Sequence, residues 1–224
     1  MPVAVKTCGL SDRTAVDAAL AGGARFVGFV FFPPSPRNVA PGRAAALGAG
    51  LPAGTSSVGV VVDPDDAFLD GILSEVRLDY IQLHGNESPA RAQSIRARTG
   101  CRIIKAISVS QASDIERAYD YGGGADLILF DAKSTADDTR PGGNARTFDW
   151  RLFGAAPPPS TGWILSGGLD AGNVGEAIRM TGARAVDVSS GIESAPGRKD
   201  PEKIGAFLTA VAAADAPLAR EATA

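Results

Sequence analysis

The sequence is poor in the side chains that most often bind metals or close disulfides. Its 224 residues hold one histidine, His84, and two cysteines, Cys8 and Cys101. That count makes neither a disulfide framework nor a metal-ligand set. No metal is expected, and a reducing, cytoplasmic setting is. Apolar runs are short: none approaches the roughly 20 residues of a membrane span. The opening Met-Pro-Val-Ala-Val-Lys6 lacks the apolar core of a signal peptide, so neither membrane nor export is expected. Charge of one sign is scarce too. The net charge is −3 and Lys and Arg do not cluster, which argues against a nucleic-acid partner. An anionic small molecule would have to be caught by local donors, not by the field of the whole protein.

The chain is rich instead in short apolar runs at regular spacing. Two of them, Trp163-Ile-Leu-Ser-Gly-Gly-Leu-Asp170 and Ala185-Val-Asp-Val-Ser-Ser-Gly191, end abruptly in Ser and Gly. A strand buried on both faces needs the apolar run. A phosphate needs small residues at the strand end, whose backbone N–H groups can approach an anion closely. Six earlier runs read as strands: Val3–Lys6, Phe26–Phe32, Ser57–Val62, Tyr80–Leu83, Cys101–Ile107 and Leu127–Phe130. Helical segments fall between them. Ser11-Asp12 caps the first, which stops at Gly22-Gly23; a second lies near residues 43–47; Asp63 opens a third; Ser88-Pro89 caps a fourth. Ser113-Asp-Ile-Glu116 reads as a capping box for a fifth. Phe148–Phe153, Asn173–Met180 and a segment from Pro201 complete the series, with the tail from Ala212 to Ala224 expected to fray. Eight strand–helix alternations in so short a chain point to a single-domain α/β fold, the (β/α)8 or TIM barrel, over residues 1–224. An open doubly wound sheet stays possible, because strand count does not prove closure.

In such a barrel, chemistry sits where strands end. Those positions hold Cys8, Arg37, Asp63, His84, Asp131 and the Ser/Gly sets at 166–168 and 189–191. Cys8 is a base or nucleophile if nearby dipoles lower its pKa, or else a small buried hydrophobe. Asp131, after a wholly apolar strand, is a candidate general acid or a loop cap. Arg37, stiffened by three prolines, offers a fork for a carboxylate or phosphate. A lone histidine such as His84 is more often structural than catalytic. Asp63 reads as the cap of the next helix, and Cys101 as core at the opposite rim. The polar stretch from Ala132 to Thr147 exceeds ordinary loop length and suggests a lid or a mobile loop.

The residues Val5-Lys-Thr-Cys-Gly-Leu10, Gly28-Phe-Val-Phe-Phe-Pro-Pro-Ser-Pro-Arg37, Ile81-Gln-Leu-His-Gly85, Phe130-Asp-Ala-Lys133 and Ala185-Val-Asp-Val-Ser-Ser-Gly-Ile-Glu193 occur in one order over nearly the whole chain. In this they resemble the phosphoribosylanthranilate isomerases of tryptophan biosynthesis. The resemblance implies a (β/α)8 barrel without cofactor, acting as monomer or homodimer. It implies an Amadori rearrangement of N-(5-phosphoribosyl)anthranilate to 1-(2-carboxyphenylamino)-1-deoxyribulose 5-phosphate, the third step from chorismate to tryptophan. It makes Cys8 the base and Asp131 the acid, the thiol being tuned downward. Arg37 would hold the anthranilate carboxylate, with His84 and Asp187 positioning substrate. Gly167, Gly168, Ser189, Ser190 and Gly191 would bind phosphate. Two departures stand out: Ala145, where Gly is usual after the sixth strand, and Thr7, where Ile is.

Two other enzyme readings fit less well. A metal-dependent epimerase would need more histidine, and an indole-glycerol-phosphate synthase would need strand-end Lys and Glu residues. A non-catalytic barrel that keeps only the phosphate site is the reading from outside enzymology. It would bind the substrate without turning it over.

Overall fold

A computed structural model describes residues 2–133 and 147–221. Among the described residues, ten strands and eight α-helices are formed, and eight of the strands close into one parallel barrel in chain order, β1 to β8. These are β1 Ala4–Cys8, β2 Phe26–Val30, β3 Ser56–Val61, β4 Tyr80–Leu83, β5 Arg102–Val109, β6 Leu127–Ala132, β7 Trp163–Leu165 and β8 Ala185–Val188. Closure is made by β1 against β8, where Ala4 to Thr7 pair with Ala185 to Val188. That pairing excludes the open sheet.

Side chains of a strand alternate between faces. One face of each strand packs under the helices, in the large cluster that includes Phe29, Ile81, Leu83, Ile103, Phe130, Ile178 and Phe207. The other face fills the barrel: Val58, Tyr80, Ile104, Leu129 and Ile164 make one layer. Cys8, Val30 and Val60 make a second cluster. Continuing the same parity to the strand ends brings His84, Asp131, Ser166, Asp187 and Ser189 to the inside of the mouth. Register therefore selects the site residues before any contact is considered.

The helices are α1 Arg13–Ala21, α2 Pro41–Gly48, α3 Asp66–Glu75, α4 Pro89–Thr99, α5 Ala112–Glu116, α6 Leu152–Ala155, α7 Val174–Thr181 and α8 Pro201–Glu221. Asp12 caps α1, accepting from Ala15 N–H at 2.8 Å, and Ser88 caps α4 with Pro89 at its first position. Three boundaries differ from expectation. Asp65, not Asp63, caps α3, accepting from Phe68 N–H at 2.7 Å. Asp63 is instead held at φ 44° with its carboxylate receiving the Asn86 N–H, so it ties the β3 loop to the β4 loop. The box at α5 is formed by Gln111 and Asp114, because Ser110 and Gln111 both donate to the Asp114 carboxylate. The helix expected at Phe148–Phe153 forms later, since Asp149 turns the chain back on Arg151 first.

A short antiparallel hairpin, β9 Glu193–Ala195 with β10 Arg198–Lys199, comes after β8. The apolar pattern does not announce it, though its turn is Pro196-Gly197 with Gly197 at φ 81°. The tail expected to fray from Ala212 begins inside a helix. The helix α8 continues to Glu221, because Val211 and Ala214 extend the buried stripe begun by Ile204, Phe207 and Leu208. The expected lid, and Ala145 within it, lie outside the described residues.

Candidate active site

Polar side chains interrupt the otherwise apolar inner faces, and each has a partner. Lys6, two residues below Cys8 on β1, is 0% exposed. Its ammonium donates to Asp187 Oδ1 at 2.8 Å, across the β1–β8 pairing, and Ser166 Oγ donates to Asp187 Oδ2 at 3.1 Å. Cys8 lies above Lys6 and is buried. Burial pushes its thiol above the ordinary range, opposed by the Lys6 and Lys199 charges and assisted by Asp187. The expected downward tuning is therefore corrected, and the cause is plain: desolvation of a buried thiolate outweighs the two cations. Thr7 faces away, its hydroxyl on the Phe26 carbonyl at 3.3 Å.

Asp131 ends β6 with its carboxylate buried at the rim. Oδ1 accepts the Ala132 N–H at 2.9 Å, and Oδ2 lies 3.2 Å from His84 Nε2. His84 Nδ1 in turn lies 2.8 Å from the Gln82 amide nitrogen. With that amide donating, the imidazole proton sits on Nε2 and points at Asp131. His84 thus serves Asp131. Gln82 is absent from the residues expected at the site, although a glutamine inside a buried strand is a signal in itself.

Arg37 is brought in by the loop after β2, buried against the hairpin. Its Nε donates to Glu193 Oε1 at 2.7 Å and its Nη2 to Oε2 at 2.8 Å. Lys199 Nζ donates to Glu193 Oε1 at 2.8 Å and to the Ser189 carbonyl at 2.9 Å. Ser189 Oγ closes the chain on the Cys8 carbonyl at 3.2 Å. Glu193 and Lys199 are additions to the expected site residues. They link Arg37 to the backbone that carries Cys8.

The loops after β7 and β8 meet. Gly167 and Gly168 have φ of 89° and 60°, a region that favours glycine, and turn the chain over the mouth. A methyl group on Gly191 would lie 2.0 Å from the Leu169 carbonyl oxygen, so the two loops touch only because that side chain is missing. Gly191→Ala is expected to cost about 1–3 kcal/mol of stability by forcing them apart. Chemical denaturation would measure it; an unchanged midpoint would contradict the close approach. Ser190 lies on the same short turn.

The structure thus brings Cys8, His84, Asp131, Asp187, Arg37 and the two Gly/Ser loops to one mouth. Asp63 and Cys101 stay outside it; Cys101 donates to the Leu78 carbonyl at the opposite rim. Among the described residues, no group of three or more His, Cys, Asp or Glu side chains is placed to hold a metal ion. A carboxyl and a thiol set into the mouth of a closed parallel barrel, above a floor of paired charges, put the protein among the (β/α)8-barrel enzymes.

Comparison with known proteins narrows that class. A family model described as N-(5'phosphoribosyl)anthranilate (PRA) isomerase matches residues 5–210, and the chain belongs to this family. It is 52% identical over 218 residues to the N-(5'-phosphoribosyl)anthranilate isomerase of Paracoccus denitrificans, covering 97% of this chain and 100% of that one. It is 52% identical over 210 residues to that of Paramagnetospirillum magneticum, covering 94% and 97%. A solved phosphoribosyl anthranilate isomerase from Thermotoga maritima superposes with a TM-score of 0.80 at 36% identity, over 93% of this chain and 98% of that one. Another, solved in complex with reduced 1-(o-carboxyphenylamino)-1-deoxyribulose 5-phosphate, gives 0.78 at 34% identity over the same shares.

Proposed function

We propose that this isomerase converts N-(5'-phosphoribosyl)anthranilate to 1-(2-carboxyphenylamino)-1-deoxyribulose 5-phosphate with Asp131 as general acid and Cys8 as general base. The activity follows from family membership. The observation that supports the two roles is their placement: each ends an inner face, with β7 and β8 between their strands around the ring. A sugar lying across the mouth would meet the acid on one side and the base on the other.

In the first step Asp131 gives a proton to the furanose ring oxygen. The bond from that oxygen to C1 breaks, and the anthranilate nitrogen lone pair forms the Schiff base. Cys8 thiolate then takes the C2 proton. The C2–H electrons form a C1–C2 double bond and the imine electrons return to nitrogen, giving an enolamine. Proton gain at C1 and loss from the C2 hydroxyl yield the ketone. No atom is added or removed and no electron leaves the substrate, so the step needs no co-reactant.

The surroundings support this division of labour. If the Gln82 amide turns over, its oxygen, buried and without a partner as it stands, accepts from Nδ1–H. His84 Nε2 then accepts from the acid form of Asp131, so one cluster holds both states of the acid. Arg37, with its Nε/Nη2 edge held by Glu193, is assigned the anthranilate carboxylate. The Gly167–Gly168 and Ser189–Gly191 loops are assigned the 5-phosphate. The reduced product bound by the solved relative carries both of those anionic groups. Asp187 acts from beneath, through Lys6, and not on substrate. Every group named lies on one chain, in keeping with a monomer or a homodimer. The two free thiols accord with a reducing, cytoplasmic setting.

The test is turnover. Freshly made phosphoribosylanthranilate is mixed with the enzyme and the loss of its anthranilate fluorescence is followed across pH. In Asp131→Asn only the base ionises, and because the base must be thiolate and burial raises its pKa, the residual kcat/KM of that variant is expected to climb about tenfold per pH unit through neutrality and to level off only in alkali. A flat profile, or one that falls with pH, would count against Cys8 as the base. Tight binding without turnover would favour the non-catalytic barrel.

A further inference from the structure

We infer that Lys6 is a positioning residue for the reaction: a fixed cation beneath Cys8 that lets the base exist as a thiolate inside the barrel. This rests on the reading of Cys8 as the base. The two side chains leave the same face of β1, one repeat of the pleat apart. A methyl group built on Gly28 of the neighbouring strand would lie 3.3 Å from Cys8 Sγ and 3.4 Å from Lys6 Nζ, so thiol and ammonium converge over one bare glycine. A side chain at position 28 would crowd both of them.

A wholly buried lysine has to be explained, because burial of an ammonium is costly unless it is paired. Asp187 pairs it, and that pair would suffice if the role were structural. The placement says more. Asp187 sits on the β8 side, and the Lys6 ammonium also lies beside the thiol, the two meeting at Gly28 of β2. Each charged group around Cys8 acts with a definite sign. Lys6 on its own strand favours the thiolate, as does Lys199 from the hairpin, which brings Glu193 and Arg37 with it. Asp187 on β8 opposes it, and β2 presents the uncharged Gly28. Asp187 holds the Lys6 proton in place while leaving the thiolate as the second anion that the ammonium can serve. Burial alone would depress the Lys6 pKa; Asp187 and Cys8 together raise it.

Opposite signs make the inference testable. In a Cys101→Ser background, the rate at which iodoacetamide alkylates Cys8 is measured against pH by intact mass. Lys6→Met is expected to move the midpoint up by about 1–3 pH units, and Asp187→Asn to move it down. A structural role would move both the same way, or neither. If Lys6→Met does not fold, the doubly neutral Lys6→Met/Asp187→Asn protein replaces it, and its midpoint is expected above that of Asp187→Asn alone. Midpoints that coincide across these variants, or that shift together, overturn the inference. Running kcat/KM profiles alongside in the Asp131→Asn background separates the two claims: alkylation shifts that the rising limb does not track would sink Cys8 as the base while leaving its coupling to Lys6 standing.

Discussion

Asp131→Asn is expected to lower kcat by about 10²–10⁴-fold and to leave KM within a few-fold of its starting value. The change is nearly isosteric. The asparagine oxygen still accepts the Ala132 N–H in place of Oδ1, and its amide nitrogen, in place of Oδ2, donates to His84 Nε2 once the imidazole proton moves to Nδ1 and the Gln82 amide turns over. No buried charge is orphaned, so the fold should survive and a fall in rate reports lost proton donation. An amide has no proton to give to the ring oxygen, and ring opening then relies on water. Cys8→Ser should lose as much for the reciprocal reason, since a hydroxyl is far harder to ionise than a thiol and no base remains beside C2. Single-turnover fluorescence separates the two. If ring opening and proton abstraction are successive, both variants bind substrate, Asp131→Asn stalls at the closed furanose and Cys8→Ser at the Schiff base, and neither reaches the enolamine. An Asp131→Asn enzyme with near-normal kcat would move the acid elsewhere, and His84 would be the first residue to test.

Glu193→Gln should cause the largest loss of stability, about 3–5 kcal/mol. Its carboxylate is the anion between Arg37 and Lys199, both of them buried. Burial pushes the Glu193 carboxyl upward, but the hydrogen bonds and charges of Arg37 and Lys199 outweigh that, and the net direction is down. Glutamine keeps the shape and leaves two cations facing each other. For a chain of this size the melting temperature would drop by roughly 6–20 °C. The pH dependence carries a second signature. A carboxyl lowered in the folded state stabilises fully above its unfolded pKa, and that contribution fades as pH falls toward its folded pKa. The parent should therefore lose stability on acidification more steeply than the variant. Because Glu193 also orients Arg37, KM should rise more than kcat falls. Melts across pH together with steady-state kinetics check both; a variant as stable as the parent would show the cluster to be incidental.

The strands are legible because both faces of a parallel barrel strand are covered, so each reads as an apolar run whose end marks the mouth. The run Tyr80–Leu83 coincides with β4 to the residue. Cys8, His84 and Asp131 are found the same way, by position, whereas Asp187 comes from the motif that carries the resemblance. Pairing is what escapes. Lys6, Gln82 and Lys105 sit inside strands and read as strand, although a charge or amide on a buried inner face needs a partner and so announces one. Lys105 finds Glu87 at 2.7 Å, in the loop just past His84. Glu193 belongs to a motif but carries no role on sequence alone, because nothing local shows that it meets a residue 156 positions earlier. The direction of the Cys8 shift is hidden for a related reason: the cations near it are visible in sequence, and the depth of its burial is not.

The closure of the barrel also sets an order of events. Lys6 meets Asp187, and Cys8 meets Ser189, across 181 positions in each case. During synthesis β1 emerges first, and its β2 partner soon after. Its other edge has to wait, unpaired, until β8 has left the ribosome. Over that interval Cys8 has neither its cation properly seated nor its carbonyl bound. Contacts of such long range are slow to form and leave the growing chain open to wrong partners. The site therefore has no half-built form. It is complete only where β8 lies against β1.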